Sequence, residues 1–154
     1  MPSPVANMAS ALDQFTDILR TQGVAASLRY LNQRVEHRCT AIYGLEAMTV
    51  RNLYLYDREG ALIPEALGVV PLGDSFCQHA LRDGPFGTDD SAADARLAGS
   101  PFQGVVVAYH AVPLSRGTAD LIGTLCHFDF VPRSMSDAEF AFLQKAARML
   151  PTYL

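Results

Sequence analysis

The spacing of apolar positions changes period partway along the chain, and that change divides it into elements. Met8, Ala11, Leu12, Phe15, Ile18 and Leu19 recur every three or four residues, opposite Asp13, Gln14 and Asp17, which predicts an amphipathic helix. Gly23 interrupts it, and the stripe Val24, Leu28, Leu31, Val35 predicts that the helix restarts and runs to about Glu36. After His37 the period shortens. Thr40 to Leu45 and Val50 to Tyr56 read as two neighbouring antiparallel strands separated by Glu46-Ala47-Met48, the second ending in the turn Asp57-Arg58-Glu59-Gly60. A short extended piece is expected around Val69 and Val70.

Ser75-Phe76-Cys77-Gln78 has the capping-box form, so a helix should start there; Gly84-Pro85 stops it after about two turns. Phe86 to Gln103 is dense in Asp, Ala, Gly and Pro without a sustained period and reads as a long covering loop, with one helical turn near Ala92 to Leu97. Val105 to Leu114 and Leu121 to Phe130 are the strongest strand runs. Joined through Ser115-Arg116-Gly117-Thr118-Ala119-Asp120, they are expected at the sheet centre. A second capping box, Ser136-Asp137-Ala138-Glu139, opens a helix with Phe140, Leu143, Ala147 and Leu150 on one stripe and Phe142, Ala146 and Met149 beside it. The order predicts an α+β domain, helices covering an antiparallel sheet. The first helix and the double stripe of the last offer more apolar width than one sheet face requires, which predicts a homodimer joined through these helices. The competing account has the N-terminal helix covering the last helix within one subunit.

Composition narrows the class. A chain of 154 residues with 49% hydrophobic and 18% charged residues is a packed globule, and one domain over 1–154 is expected. Within it, 1–36 form N-terminal helices, 37–135 the sheet and covering loops, and 136–154 the C-terminal helix. A net charge of −4, with no dense basic stretch, speaks against nucleic acid as a partner. The apolar stretch Gly104 to Leu114, broken by His110 and Pro113, falls short of the ~20 residues that cross a bilayer. No membrane partner is therefore expected. The N-terminus has no signal-peptide pattern, and the odd set Cys39, Cys77 and Cys126 fits reduced thiols in a cytoplasmic protein, with no metal-ligand cluster.

Four landmarks carry a family resemblance: Ser75-Phe76-Cys77-Gln78-His79-Ala80-Leu81, then Asp90 to Leu97, then Ala108-Tyr109-His110-Ala111-Val112-Pro113-Leu114, then Ile122-Gly123-Thr124-Leu125-Cys126-His127-Phe128-Asp129. In that order, over roughly Leu28 to Leu150, the chain resembles the GAF domain family. The resemblance implies a sheet of about six antiparallel strands, N- and C-terminal helices on one face, and a small-molecule pocket under covering loops on the other. It also implies sensing or signalling by ligand binding and dimerisation. The chain ends at Leu154 without an output domain, so the module is expected to act alone or through a separate signalling protein. The Asn-Lys…Phe-Asp-Glu motif of cyclic-nucleotide binders is absent, and Cys126-His127 lies on a predicted strand rather than in the helix where bilin-bearing members carry their Cys-His pair. A further branch reduces free methionine sulfoxide with an attacking and a resolving thiol near acidic residues. That branch has a Ser-Glu pair where this chain has Ala108-Tyr109-His110-Ala111, and its cysteine spacing differs. A thiol-dependent reductase using Cys77 and Cys126 is the enzymatic alternative.

The first reading seats an unidentified small molecule between Phe76, Cys77, His79, Asp90, Tyr109, His110 and Cys126. Tyr109 suits it because an aromatic face with a polar tip fits a mostly apolar cavity. Cys77, at the start of a short helix, is a candidate thiolate, and the bland reading of all three cysteines is burial. Asp94 and Arg96 are expected to pair and hold the loop. His79, His110 and His127 could ligate haem or a polar ligand, or serve as structural histidines; no haem binding is expected. Whether His110 and His127 share a face depends on the hairpin register. The third reading is a scaffold whose pocket has collapsed.

Overall fold

The period-two runs become strands of one antiparallel sheet. In the computed structural model, which describes residues 4–61 and 65–154, these are β1 (Cys39–Glu46), β2 (Thr49–Asp57), β3 (Val69–Pro71), β4 (Phe86–Thr88), β5 (Ala108–Arg116) and β6 (Asp120–Asp129). Their order across the sheet is β3-β2-β1-β6-β5-β4, every neighbouring pair antiparallel. The sheet centre is therefore β1 and β6. β5, expected at the centre beside β6, is displaced one place outward by β4, which arises from the stretch read as a loop and pairs Phe86 with Ala111 and Thr88 with Tyr109. Three residues around a glycine are too short a run for a period-two signal. β5 also begins three residues later than the apolar run, because Val105 and Val106 bond back to the Phe102 carbonyl and turn Val106 inward.

The helices are α1 (Pro4–Gln22), α2 (Val24–Gln33), α3 (Cys77–Asp83) and α4 (Asp137–Met149). α2 stops short of Glu36. Arg58 donates to the carbonyls of Asn32 and Val35, and Asn32 Nδ2 donates to the His37 carbonyl, so the end of the helix is satisfied by side chains while His37 turns into the core. Both capping boxes form by halves. Ser75 and Ser136 accept from the amides of Gln78 and Glu139, but Gln78 Nε2 donates to the Ser75 and Gly73 carbonyls, and Glu139 pairs with Arg34 at 2.7 Å.

Side-chain alternation along the strands sends residues to two apolar clusters. Ile42, Val112, Leu114 and Leu125 meet α1, α2 and α4 on one face; Ala41, Tyr43, Tyr109, Ala111, Cys126 and Phe128 meet α3 and the segment after β4 on the other. Gly123 on β6 faces Gly44 of β1, and a Cβ there would lie 1.9 Å from the Tyr43 carbonyl oxygen, so the central pairing requires glycine. Part of the apolar width behind the expected helical dimer is used inside the chain, while Met8, Leu12, Ile18 and Met149 stay half-buried. α1 lies against α2 and α4, Tyr30 on α2 donates to the Ala11 carbonyl, and Phe15, Phe142, Leu143 and Leu150 are at most 1% exposed. α1 packs on α4 within one chain, the contact the competing account describes.

Phe15 therefore contributes to folding, and Phe15→Ala is expected to cost ~3–5 kcal/mol in urea denaturation. Gly123→Ala is expected to exceed the ~1–3 kcal/mol of ordinary overpacking, because the obstructing atom is backbone. A loss under ~1 kcal/mol for Phe15→Ala would contradict the packing described.

Candidate functional site

Between the sheet and the segment 89–107 lies a cavity lined by Tyr43, Val50, Leu67, Val70, Ser75, Phe76, Cys77, Phe102, Val106, Tyr109 and Phe128, with a volume of about 40 Å3. No lining side chain is charged. The phenols and the thiol already have partners: the Tyr43 hydroxyl donates to the Leu67 carbonyl at 2.8 Å, and the hydroxyls of Tyr109 and Thr124 donate to Cys77 Sγ at 3.1 and 3.3 Å. The Phe76 and Tyr109 rings meet edge to face, 5.5 Å between centroids. Serine hydroxyls fasten the cover: Ser100 to the Asp74 carbonyl and Ser91 to the Val106 carbonyl, both 2.6 Å. Such a volume holds very few atoms; a comparable dry cavity that takes benzene measures ~150 Å3, and drug-sized ligands need ~300 Å3 or more.

Of the residues expected at the site, Phe76, Cys77 and Tyr109 line the cavity, and Cys126 is fully buried in the same apolar cluster. The others lie elsewhere. His79 is partly buried on the outer side of α3, stacked on Phe86 at 4.8 Å. Asp90 caps a 3-10 turn, accepting from the Ala92 amide. Asp94 and Arg96 pair at 2.6 Å, with Arg96 over the Phe86 ring and donating to the Gly87 carbonyl. His110 faces away from the cavity, toward the helices. The hairpin register pairs it directly with His127, so the two share that face, where they meet His37. The three histidines considered for haem thus sit in two separate places. Among the described residues no group of three His, Cys, Asp or Glu side chains has the geometry to hold a metal ion.

Electrostatics follow burial. Burial pushes the Cys77 thiol above its ordinary value against the two hydroxyl hydrogen bonds, raises Cys126 well above it, and pushes Cys39 up to about 12. Burial likewise holds His37 down at about 4 and His127 well below the ordinary value. His110 is lowered by burial too, against the opposing pull of Asp89. Sequence reasoning passed over His37 and Asp89: His37 stood at a period change and Asp89 in an irregular stretch, and neither belongs to a spaced motif. Tyr43 and Thr124 were visible only as strand residues.

No family model and no curated protein matches the sequence. Solved structures do. The GAF domain of an Acinetobacter phosphoenolpyruvate-protein phosphotransferase superposes with a TM-score of 0.75 at 15% identity, over 94% of this chain and 90% of that one. The free methionine-R-sulfoxide reductase of Neisseria meningitidis, solved with its substrate, gives 0.75 at 15% identity, over 99% and 91%. A type II free methionine-R-sulfoxide reductase of Thermoplasma acidophilum gives 0.65 at 17% identity, over 91% and 97%. The chain has the GAF-domain fold, which these structures show both as the GAF domain of a phosphotransferase and as free methionine-R-sulfoxide reductases. No helix among the described residues is long and apolar enough to cross a membrane.

Because all three thiols are buried, the native protein at neutral pH should react with a thiol reagent such as Ellman's far more slowly than after denaturation, when all three cysteines respond. A fast native equivalent lost in Cys77→Ser would show instead that Cys77 is activated.

Proposed function

We propose that this chain is a non-catalytic small-molecule-sensing GAF module whose ligand is uncharged and largely apolar. The observation that carries this reading is the cavity wall, which has no charged side chain and whose phenols and thiol are already hydrogen-bonded. A zwitterion such as free methionine sulfoxide would lose its hydration there and gain no charged partner, at a cost of several kcal/mol per ion (~3 or more). The thiol chemistry of a reductase is disfavoured as well, since burial keeps Cys77 and Cys126 protonated.

At about 40 Å3 the cavity admits a metabolite-sized ligand only if the cover moves, and Phe102 and Val106 are the lining residues that belong to the cover. Ligand entry displaces 89–107, and the displaced cover is what a separate signalling protein reads. The same small volume favours one alternative, a scaffold with a collapsed pocket.

Indole, uncharged and apolar, should raise the melting temperature saturably, more so in Phe102→Ala, where the cavity is larger. Methionine sulfoxide should not. No stabilisation by indole in either form supports the scaffold, and a Cys77–Cys126 disulfide formed by mild peroxide and turned over by a reductant supports the enzyme.

A further inference from the structure

On the face of the sheet opposite the cavity, three imidazoles pack on one another inside the core. His110 and His127 are cross-strand neighbours on β5 and β6, and His37 reaches both from the α2–β1 connection, with ring centroids 5.0 Å from His110 and 5.6 Å from His127. None is more than 3% exposed. One hydrogen-bonded chain enters this cluster from solvent. The Asp89 carboxylate, 65% exposed, lies 2.9 Å from His110 Nε2, and His110 Nδ1 lies 2.9 Å from His37 Nε2.

An ionised carboxylate only accepts, so His110 carries its proton on Nε2 and donates it to Asp89. His110 Nδ1 then accepts from His37 Nε2–H, and His37 Nδ1 is a bare lone pair. Among the described residues, that nitrogen is the buried side-chain polar atom without a partner. His127 is closed in by a second chain: Asn32 Nδ2 donates to Thr40 Oγ1 at 3.0 Å, and the Thr40 hydroxyl, 2.6 Å from His127 Nδ1, donates to it. The charged groups acting on the cluster are Asp89 after β4, Asp129 on β6, Arg133 ahead of α4 and Arg58 after β2. From α2 the cluster meets Asn32, from β1 Thr40, and from α4 the Phe140 ring, edge-on to His110.

A proton added here has no good seat. On His110 it puts N–H against N–H unless the His37 proton crosses to Nδ1, where no acceptor stands. On His37 it is a buried charge that burial, His110, Arg133 and Arg58 oppose and only Asp129 favours; on His127 burial, the other two imidazoles and Arg58 all oppose it. Asp89 is the group that directly favours a charge on His110, and it lies at the junction of β4 and the cavity cover. β4 itself touches the cluster: a Cβ on Gly87 would lie 2.8 Å from the His110 ring.

The geometry points to a proton-operated latch: the neutral His37–His110–Asp89 chain fastens β4 and the start of the cavity cover to the sheet, and protonation of the histidine cluster releases them. Lifting β4, with Gly87 and Asp89, uncovers the His110 ring to water, where an imidazole has a pKa near 6.5, so the open form binds a proton that the closed form resists. Closure is fully present above about pH 6.5 and is lost as the pH falls below it toward the lowered closed-form value of His110. The proton taken up on opening raises the opening constant about tenfold per pH unit.

Hydrogen exchange of the whole chain, read by mass spectrometry between about pH 7.5 and 5 and corrected for the intrinsic rate, tests this. The latch predicts that residues 86–107 lose protection by about tenfold per pH unit below about 6.5, while α1, α2 and β6 keep theirs. His110→Gln should abolish that slope. Asp89→Ala, at an exposed position that leaves the core intact, should speed exchange in 86–107 already at neutral pH. Should His110→Gln fail to fold, the imidazole resonances of the unaltered protein serve, with His110 titrating below 6.5. Protection in 86–107 independent of pH, equal loss across all elements, no effect of Asp89→Ala, or His110 titrating near 6.5 would each overturn the latch.

Discussion

The register between β5 and β6 is the constraint on which the rest depends. Tyr109 stands opposite Phe128, His110 opposite His127 and Ala111 opposite Cys126, and because strand side chains alternate, every chemically useful residue of the hairpin has its face assigned by that pairing. Phenol, thiol and threonine hydroxyl go to the cavity side, imidazoles to the helix side. A shift of one residue in either strand would bring a histidine to the cavity and turn an aromatic ring toward α4. Gly123 helps to fix the frame, since its missing Cβ lets β6 approach the Tyr43 carbonyl on β1.

Segregation has chemical consequences on each side. Within the cavity, polar atoms are present but spent on one another, so what remains to a ligand is shape and apolar contact. The histidine side holds neutral bases in an environment that resists charge, with a single carboxylate reaching them from solvent. The edge strand β4 and the chain that follows it touch both sides: Phe86 packs into the cavity-face cluster, Gly87 lies against His110, and Asp89 accepts from it. This edge therefore contacts both sides of the sheet.

Much of the fold was legible in the sequence, since helix and strand periods, the Gly84-Pro85 stop and the Ser136 cap each rest on local chemistry. The four landmarks suggested the family architecture. Less of the site was legible. Phe76, Cys77 and Tyr109 were named because the resemblance places their helix and strand against a pocket; His110 was named with them while its facing was left to the hairpin register, which the sequence does not specify to one residue. His37 was invisible for a further reason: its partners stand 73 and 90 positions away in the sequence, 110 and 127, and only the closed sheet brings them together. The width of the last helix was read correctly as a need for cover, but the first helix supplies that cover from within the chain.

The most direct test of this account is the proximity of aromatic protons in solution. Nuclear Overhauser contacts should connect the His110 ring with those of His37 and Phe140, and the Tyr109 ring with those of Phe76 and Phe86, in keeping with centroid separations of 5.0 and 5.9 Å for the first set and 5.5 and 6.3 Å for the second. Contacts from the His110 ring to Phe76, with none to His37, would place the imidazole in the cavity and contradict the register from which the site has been built.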